Sequence, residues 1–503
     1  MANNLLTDSI STTSRFLDTS FELAVEQEIL LADYDKSVFK IVKTCVDHTI
    51  TQKYINGTKF ICEGYFRITV FYQPPHGEKL TVVTKKQPFR HQIDLQTAVM
   101  PPYFIPLSGE LQYVNTRAVN PTRISVSGVY SFVIKGYHTQ PLPVVTAVSS
   151  PSVCCDSTAI SGFALSSSGI RQFSMEDELS LPEELDKILT ITPENNNFTI
   201  TNYQDKTNIK GDVTVDIAYT LESSAEVKYL SKVFSYNQVV DLPGLAENHA
   251  TYADFSVVSF TVTANPDTGK VNCILMANLD VKSFRKENVI TVLDCFSKSF
   301  DYTKSRDSII YDSNINEISK TFNFQVEDLI GTGYTPVYSM TNISMPEISI
   351  ADGKNLLKAK RTVTAIVKNE DNEYECFSKT GDISFDIVVQ AEAADDVVVK
   401  CIPYKTDITI SGESMKARFF VDVKGFVIKH CKIQLLSEFE ENMLSPLSNP
   451  SDALILYYGE KGENVFDIAM KYKTDMATVM TENNLDNKIL AEDRTLLIPA
   501  YRQ

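Results

Sequence analysis

From about residue 20 to about residue 432, apolar positions alternate with polar ones at a period of two, the spacing of strands with one buried face. Phe66-Arg67-Ile68-Thr69-Val70-Phe71, Val213-Thr214-Val215-Asp216-Ile217-Ala218-Tyr219 and Val363-Thr364-Ala365-Ile366-Val367 alternate, or run in β-branched and aromatic types. Val129 to Ile134 and Arg418 to Val423 do the same. Turn-forming residues separate such stretches at Gln73-Pro74-Pro75-His76-Gly77, Asn265-Pro266-Asp267-Thr268-Gly269 and Asn369-Glu370-Asp371-Asn372-Glu373. Near the C-terminus the period changes. Val465, Ile468, Ala469 and Tyr472 recur at helical spacing, with Glu463-Asn464 placed to cap them. A second helix is expected from Asp475, with Asp475 or Thr474 as N-cap and Met476, Val479 and Met480 on one face. Asn483-Asn484 would close it, because Asn tolerates the left-handed conformation. A strand through Ile455 and Tyr457 and another over Leu496 to Ile498 complete a βααβ order.

Three landmark strings recur in one order. Val25-Glu26-Gln27-Glu28-Ile29 is answered by Met175-Glu176-Asp177-Glu178-Leu179 and by Val326-Glu327-Asp328-Leu329, with Glu positions 150 and 151 apart. Gly64, Gly211 and Ala359 each precede a strand and stand 30 residues before Asp94-Leu95, Asp241-Leu242 and Val389-Gln390. Ile134-Lys135-Gly136-Tyr137, Val281-Lys282-Ser283-Phe284 and Val423-Lys424-Gly425-Phe426 form the third set. The expected fold is therefore mainly β repeats, each an antiparallel sandwich or open-barrel module, plus the C-terminal βααβ unit. The repeats are placed at 20–145, 173–300 and 322–437, with a Ser-rich linker at 146–172, a second linker at 301–321, a tether at 438–452 and the last module at 453–500.

Hydrophobic and charged contents of 43% and 22% fit a globular chain of several domains. A net charge of −17 argues against nucleic acid or an anionic membrane as partner. The acidity is uneven, since residues 1–140 carry about fourteen basic against about twelve acidic side chains. No run of 18 apolar residues occurs, and Met1 to Leu30 is interrupted by charge, so neither export nor membrane insertion is expected. Nine scattered cysteines read as buried free thiols of a reducing compartment, and adjacent Cys154-Cys155 lack partners for zinc. Phosphate-loop, nucleophile-elbow and His-Glu-x-x-His motifs are absent, the six histidines are dispersed, and no enzyme activity, cofactor or metal is expected. Glu26, Glu28, Glu176, Glu178 and Glu327 recur across the repeats, which favours strand-edge protection over acid–base chemistry.

The tail, with Tyr457-Tyr458-Gly459-Glu460-Lys461-Gly462-Glu463-Asn464-Val465-Phe466-Asp467-Ile468-Ala469, Asn483-Asn484-Leu485 and Leu496-Leu497-Ile498-Pro499, resembles a LysM domain. LysM domains dock glycans or proteins. Glu463-Asn464 stands where that family commonly has Asp-Thr, and Glu492-Asp493 where it commonly has Pro-Gly; both loops flank the groove that holds N-acetylglucosamine in LysM domains. The whole chain lacks Trp. Taken with the three β repeats before it, the chain resembles the SPOCS-repeat spore-coat proteins of clostridia, specifically the SipL family. That resemblance implies a non-enzymatic adaptor in the mother-cell cytoplasm at the forespore surface and in the spore coat, whose LysM domain binds the coat-morphogenetic ATPase. Other coat proteins would meet the β repeats. The candidate contact residues are Asn464, Val465 and Phe466 with Lys488, Ile489 and Leu490 on the opposing loop; for Val465 and Ile489, core packing is the alternative. The competing reading is a peptidoglycan-binding LysM protein of the cell wall or spore cortex.

Overall fold

A computed structural model describes residues 5–33, 35–75, 79–180, 185–221, 226–265, 270–351, 354–387, 395–447 and 454–499. The chain is mostly strand, in several antiparallel sheets, with two short helices near the C-terminus. Three successive units share one plan. The first comprises β1 (Leu5–Leu30), β2 (Lys40–Asn56), β3 (Lys59–Gln73), β4 (Thr81–Asp94), β5 (Tyr103–Phe104), β6 (Leu107–Asn120) and β7 (Arg123–Val148). Its sheets are β1-β7-β5, with β6 also on β7, and β2-β3-β4. The second comprises β8 (Val153–Ser180), β9 (Leu185–Tyr203), β10 (Lys206–Leu221), β11 (Lys228–Asp241), β12 (Ala250–Asn265) and β13 (Lys270–Ser297), in sheets β12-β13-β8 and β11-β10-β9. The third comprises β14 (Phe300–Leu329), β15 (Thr335–Ile343), β16 (Glu347–Ala351), β17 (Lys354–Lys368), β18 (Tyr374–Ile387), β19 (Asp396–Ser411) and β20 (Ser414–Pro446). Its sheets are β14-β20-β19 and β15-β17-β16, with β18 on β17.

In each unit the two sheets close over one apolar cluster. The central strand of the smaller sheet shows why its sequence runs almost continuously apolar. Along β3, Phe60, Cys62, Phe66, Ile68, Val70 and Tyr72 enter the unit's own core, while Phe71 on the opposite face meets Leu189, Ala218, Tyr338 and Ile366 of the other two units. From Ile68 to Gln73 both faces of β3 are therefore dry, and alternation is suppressed there.

The first and last strands of each unit form a long hairpin: β1 with β7, β8 with β13, β14 with β20. The distal half of each hairpin covers its own sandwich. The near halves of all three pack together as a stem, in which Ile10, Val144, Ile160, Val289, Tyr311 and Leu435 contribute one buried side chain from each long strand. Halfway along, the first strand of each hairpin carries a residue skipped by the register, namely Phe16, Ser166 and Ser313. Such bulges bend and twist a strand locally, here where it passes from sandwich to stem.

This arrangement changes the expected boundaries. Residues 146–172 are the end of β7, a tight turn at 149–152 and the first part of β8. Residues 301–321 lie wholly within β14, and 438–446 within β20. The Ser-rich composition that suggests a linker instead lets three hairpins approach closely: a Cβ on Gly162 would lie 3.0 Å from Ile10 Cδ1 and 3.3 Å from the Asp312 carbonyl oxygen. His76, Gly77, Val389-Gln390, Pro450 and the 266–269 turn lie outside the described residues.

Charge holds the units together where apolar contact ends. Lysines of the first unit meet carboxylates of the others: Lys53 Nζ lies 2.7 Å from Asp280 and Lys79 Nζ 2.6 Å from Asp186, while Arg15 pairs with Asp396. The basic balance of residues 1–140 thus has structural partners in the acidic remainder. At the stem, the buried Asp312 carboxylate accepts from Thr13 N at 2.8 Å and lies 3.0 Å from His430 Nδ1, whose Nε2 is 3.2 Å from Asp396. The carboxylates of Asp312 and then Asp396 outweigh burial and push the imidazole up to about 9, so His430 is a cation held between two carboxylates of its own unit, which in turn meet Thr13 and Arg15 of the first.

Candidate functional site

Residues 454–499 form β21 (Leu454–Gly459), α1 (Val465–Tyr472), α2 (Met476–Glu482) and β22 (Arg494–Pro499), with β21 antiparallel to β22. Asn464 caps α1, its side chain accepting from Phe466 N at 3.0 Å, and Asp475 caps α2 by accepting from Ala477 N at 2.9 Å. The left-handed residue after α2 is Asn484, with φ of 50°. Asn483 is buried and acts as a clamp: its amide donates to the carbonyls of Val479 and Leu497, both at 2.8 Å, and accepts from Leu497 N at 2.7 Å. Its neighbour Val479 and the strand residues Leu496 and Ile498 close the small core with Ile468 and Ala469.

The two segments singled out from sequence do meet. Asn464 and Ile489 form an antiparallel bridge, Val465 N donates to Lys488 O at 2.8 Å, and Leu490 N donates to Glu463 O at 2.9 Å. Gly462 N and Lys461 N also reach across, to Leu490 O at 2.9 Å and Asp493 Oδ1 at 2.7 Å. Glu463 is held by Tyr457 Oη at 2.9 Å and by Glu460 N at 3.0 Å. Of the two departures, the Asp493 side chain ties its loop to Lys461 of the other, while the Glu463 side chain braces its own loop against β21.

Their side chains are not all available to a partner. Val465, Phe466 and Leu490 are buried, Asn464 is spent as a cap, and Lys488 is half-buried. Phe466 packs edge-on against Phe296 of the stem, with ring centroids 5.3 Å apart, and Cys154 joins the same cluster. Lys488 Nζ donates to Asp156 Oδ1 at 2.6 Å and Ser157 O at 2.8 Å, while Lys298 reaches Asp475 at 3.3 Å. Ile489 alone of the six is well exposed, at 59%. The docking residues Phe296, Asp156 and Lys298 escape sequence reading because nothing local links them to a module some 170 to 330 residues away.

Another apolar surface was not foreseen. The outward face of β21 and β22 carries Leu454, Leu456, Tyr458 and Leu497, all exposed, with Leu456 opposite Leu497 in register. The lack of alternation along β21 carries the signal, since both of its faces are apolar.

Among the described residues no group of three or more His, Cys, Asp or Glu could hold a metal ion, and no helix is long and apolar enough to cross a membrane. Residues 184–265 match the family model described as SipL, SPOCS domain. The matched stretch takes in β9, β10, β11 and β12 of the second unit. It supports the SipL-like reading and, with it, a sporulation-related protein. No curated protein matches the chain.

Proposed function

We propose that this chain is a non-enzymatic adaptor in spore coat assembly, built from three SPOCS-type units and a C-terminal LysM module. The observation that carries the reading is the SPOCS match over the second unit, because the first and third units repeat that unit's sheet plan. The landmark strings support the same reading: Glu26, Glu176 and Glu327 fall near the distal end of β1, β8 and β14, and Tyr137, Phe284 and Phe426 fall in the closing strands β7, β13 and β20. In this proposal the module is the hook for the coat-morphogenetic ATPase at the forespore surface, and the units are a rigid spacer that also presents surface to other coat proteins. Exposed Leu454, Leu456, Ile489 and Leu497 favour a protein over a glycan, since an aliphatic surface gains by burial against apolar side chains and offers sugar hydroxyls no partners.

The test immobilises the full chain and measures binding of the purified ATPase and, separately, of purified peptidoglycan. Saturable ATPase binding that Ile489→Asp or Tyr458→Asp weakens about tenfold or more supports the adaptor. Retention of peptidoglycan with no ATPase bound overturns it in favour of a wall or cortex protein.

A further inference from the structure

The nine cysteines are free, and across the described ladders one pairing sets two of them face to face: Cys155 on β8 lies directly opposite Cys295 on β13. Opposed residues of antiparallel strands share a face, with Cα atoms about 4.5 or 5.5 Å apart according to the hydrogen bonding of the pair. Both separations fall within the roughly 4.4–6.8 Å that lets a disulfide close without moving backbone. Both side chains enter one small apolar cluster with Val145, Val292 and Leu436 at the foot of the stem. Cys295 is fully buried and Cys155 half-buried, so a small reagent reaches one thiol first and the other stands behind it.

We propose that Cys155 and Cys295 form a cross-strand disulfide that locks the foot of the stem when the chain meets a low-molecular-weight disulfide such as oxidised glutathione. Cys155 loses its proton to solvent and its thiolate attacks one glutathione sulfur. That forms a mixed disulfide and expels the first glutathione thiolate, which takes up a proton. Cys295, deprotonated in turn, attacks the Cys155 sulfur; the Cys155–Cys295 bond forms and the second glutathione leaves as its thiol. Two protein thiols are oxidised and one glutathione disulfide is reduced. Burial pushes the Cys155 thiol up to about 11, so the first step is slow at neutral pH and quickens roughly tenfold per pH unit. The bond would join the two strands whose neighbouring residues, Cys154 and Phe296, face Phe466 of the C-terminal module.

The test incubates the full chain with oxidised glutathione at about pH 8.5, digests it without reduction and maps linked peptides by mass spectrometry. A Cys155–Cys295 peptide is expected, with the thiols titrated in urea falling from nine to seven. Cys155→Ser, at the half-exposed position, keeps the fold by circular dichroism and retains eight thiols after the same treatment, one fewer than nine by substitution alone. Nine remaining thiols, a bond between another pair, or glutathione left on Cys155 with Cys295 still reduced would each overturn the proposal.

Discussion

The core of the first unit and the core of the C-terminal module solve the same problem from opposite positions. The first unit closes its inner cluster from its own two sheets, where Phe66, Tyr130 and Phe132 pack among aliphatic residues that all belong to the same unit. The module has two six-residue strands and helices of eight and seven residues. Its cluster is completed by Phe296 and Cys154, which belong to the stem. A unit that small buries too little surface to be stable by a wide margin, and docking supplies what its own chain does not. It nonetheless leaves Leu456 and Tyr458 in solvent, at 59% and 77% exposure. One region spends its apolar residues on folding; the other leans on a neighbour and keeps apolar surface outside.

The comparison breaks first at the sealed core. Phe132 is fully buried, with ring centroids 5.1 Å from both Phe21 and Tyr130 and 5.7 Å from Phe89. Phe132→Ala is expected to cost about 3–5 kcal/mol by urea unfolding. A loss under about 1 kcal/mol would mean that the first unit is no better packed than the module. Next comes the joint between units. Removing one partner of a buried ion pair costs about 3 kcal/mol or more, so His430→Ala should approach that figure by leaving Asp312 uncompensated. Its signature is pH. The folded pKa lies above the unfolded one, so the stabilisation is complete below about 6.5 and disappears as pH rises through about 9. The wild-type unfolding midpoint should fall across that window and the His430→Ala midpoint should not; parallel profiles would remove His430 from the joint.

Period-two patterning made the strand class legible, and helical spacing gave α1 over Val465–Tyr472 as read from sequence. Two landmark glycines answer a local demand, Gly64 the close approach of Thr49 O and Gly211 that of Phe198 Cβ. What stayed hidden was everything that depends on the units meeting. Small residues such as Ser157, Gly162 and Ser166 read as linker, since a sequence does not distinguish residues that are small for flexibility from those that are small for contact. Phe466 was a fair candidate for partner contact on the module's own pattern. It becomes interior only because β8 and β13 run past their sandwich and deliver Phe296 to it. The pairing of Cys155 with Cys295 likewise follows from a hairpin register that spacing alone does not give.

The remaining predictions sharpen the docked side of the comparison. Phe296→Ala should cost about 2 kcal/mol, less than a sealed core site, because the module can separate and water can fill the place. Separation has its own readout: Cys154, shielded in the same cluster, should label with maleimide severalfold faster in the full chain, and an unchanged rate would mean that Phe296 does not hold the module. The smallest effect belongs to Lys488 and Asp156, a pair whose lysine side chain is 41% exposed. Such pairs contribute about 0.2–1 kcal/mol and weaken with salt. A double-mutant cycle of Lys488→Ala and Asp156→Ala, followed through Cys154 labelling, should give a coupling in that range at low ionic strength and little at about 1 M salt. Zero coupling at low salt would leave the ring pair Phe296 and Phe466 as the main anchor.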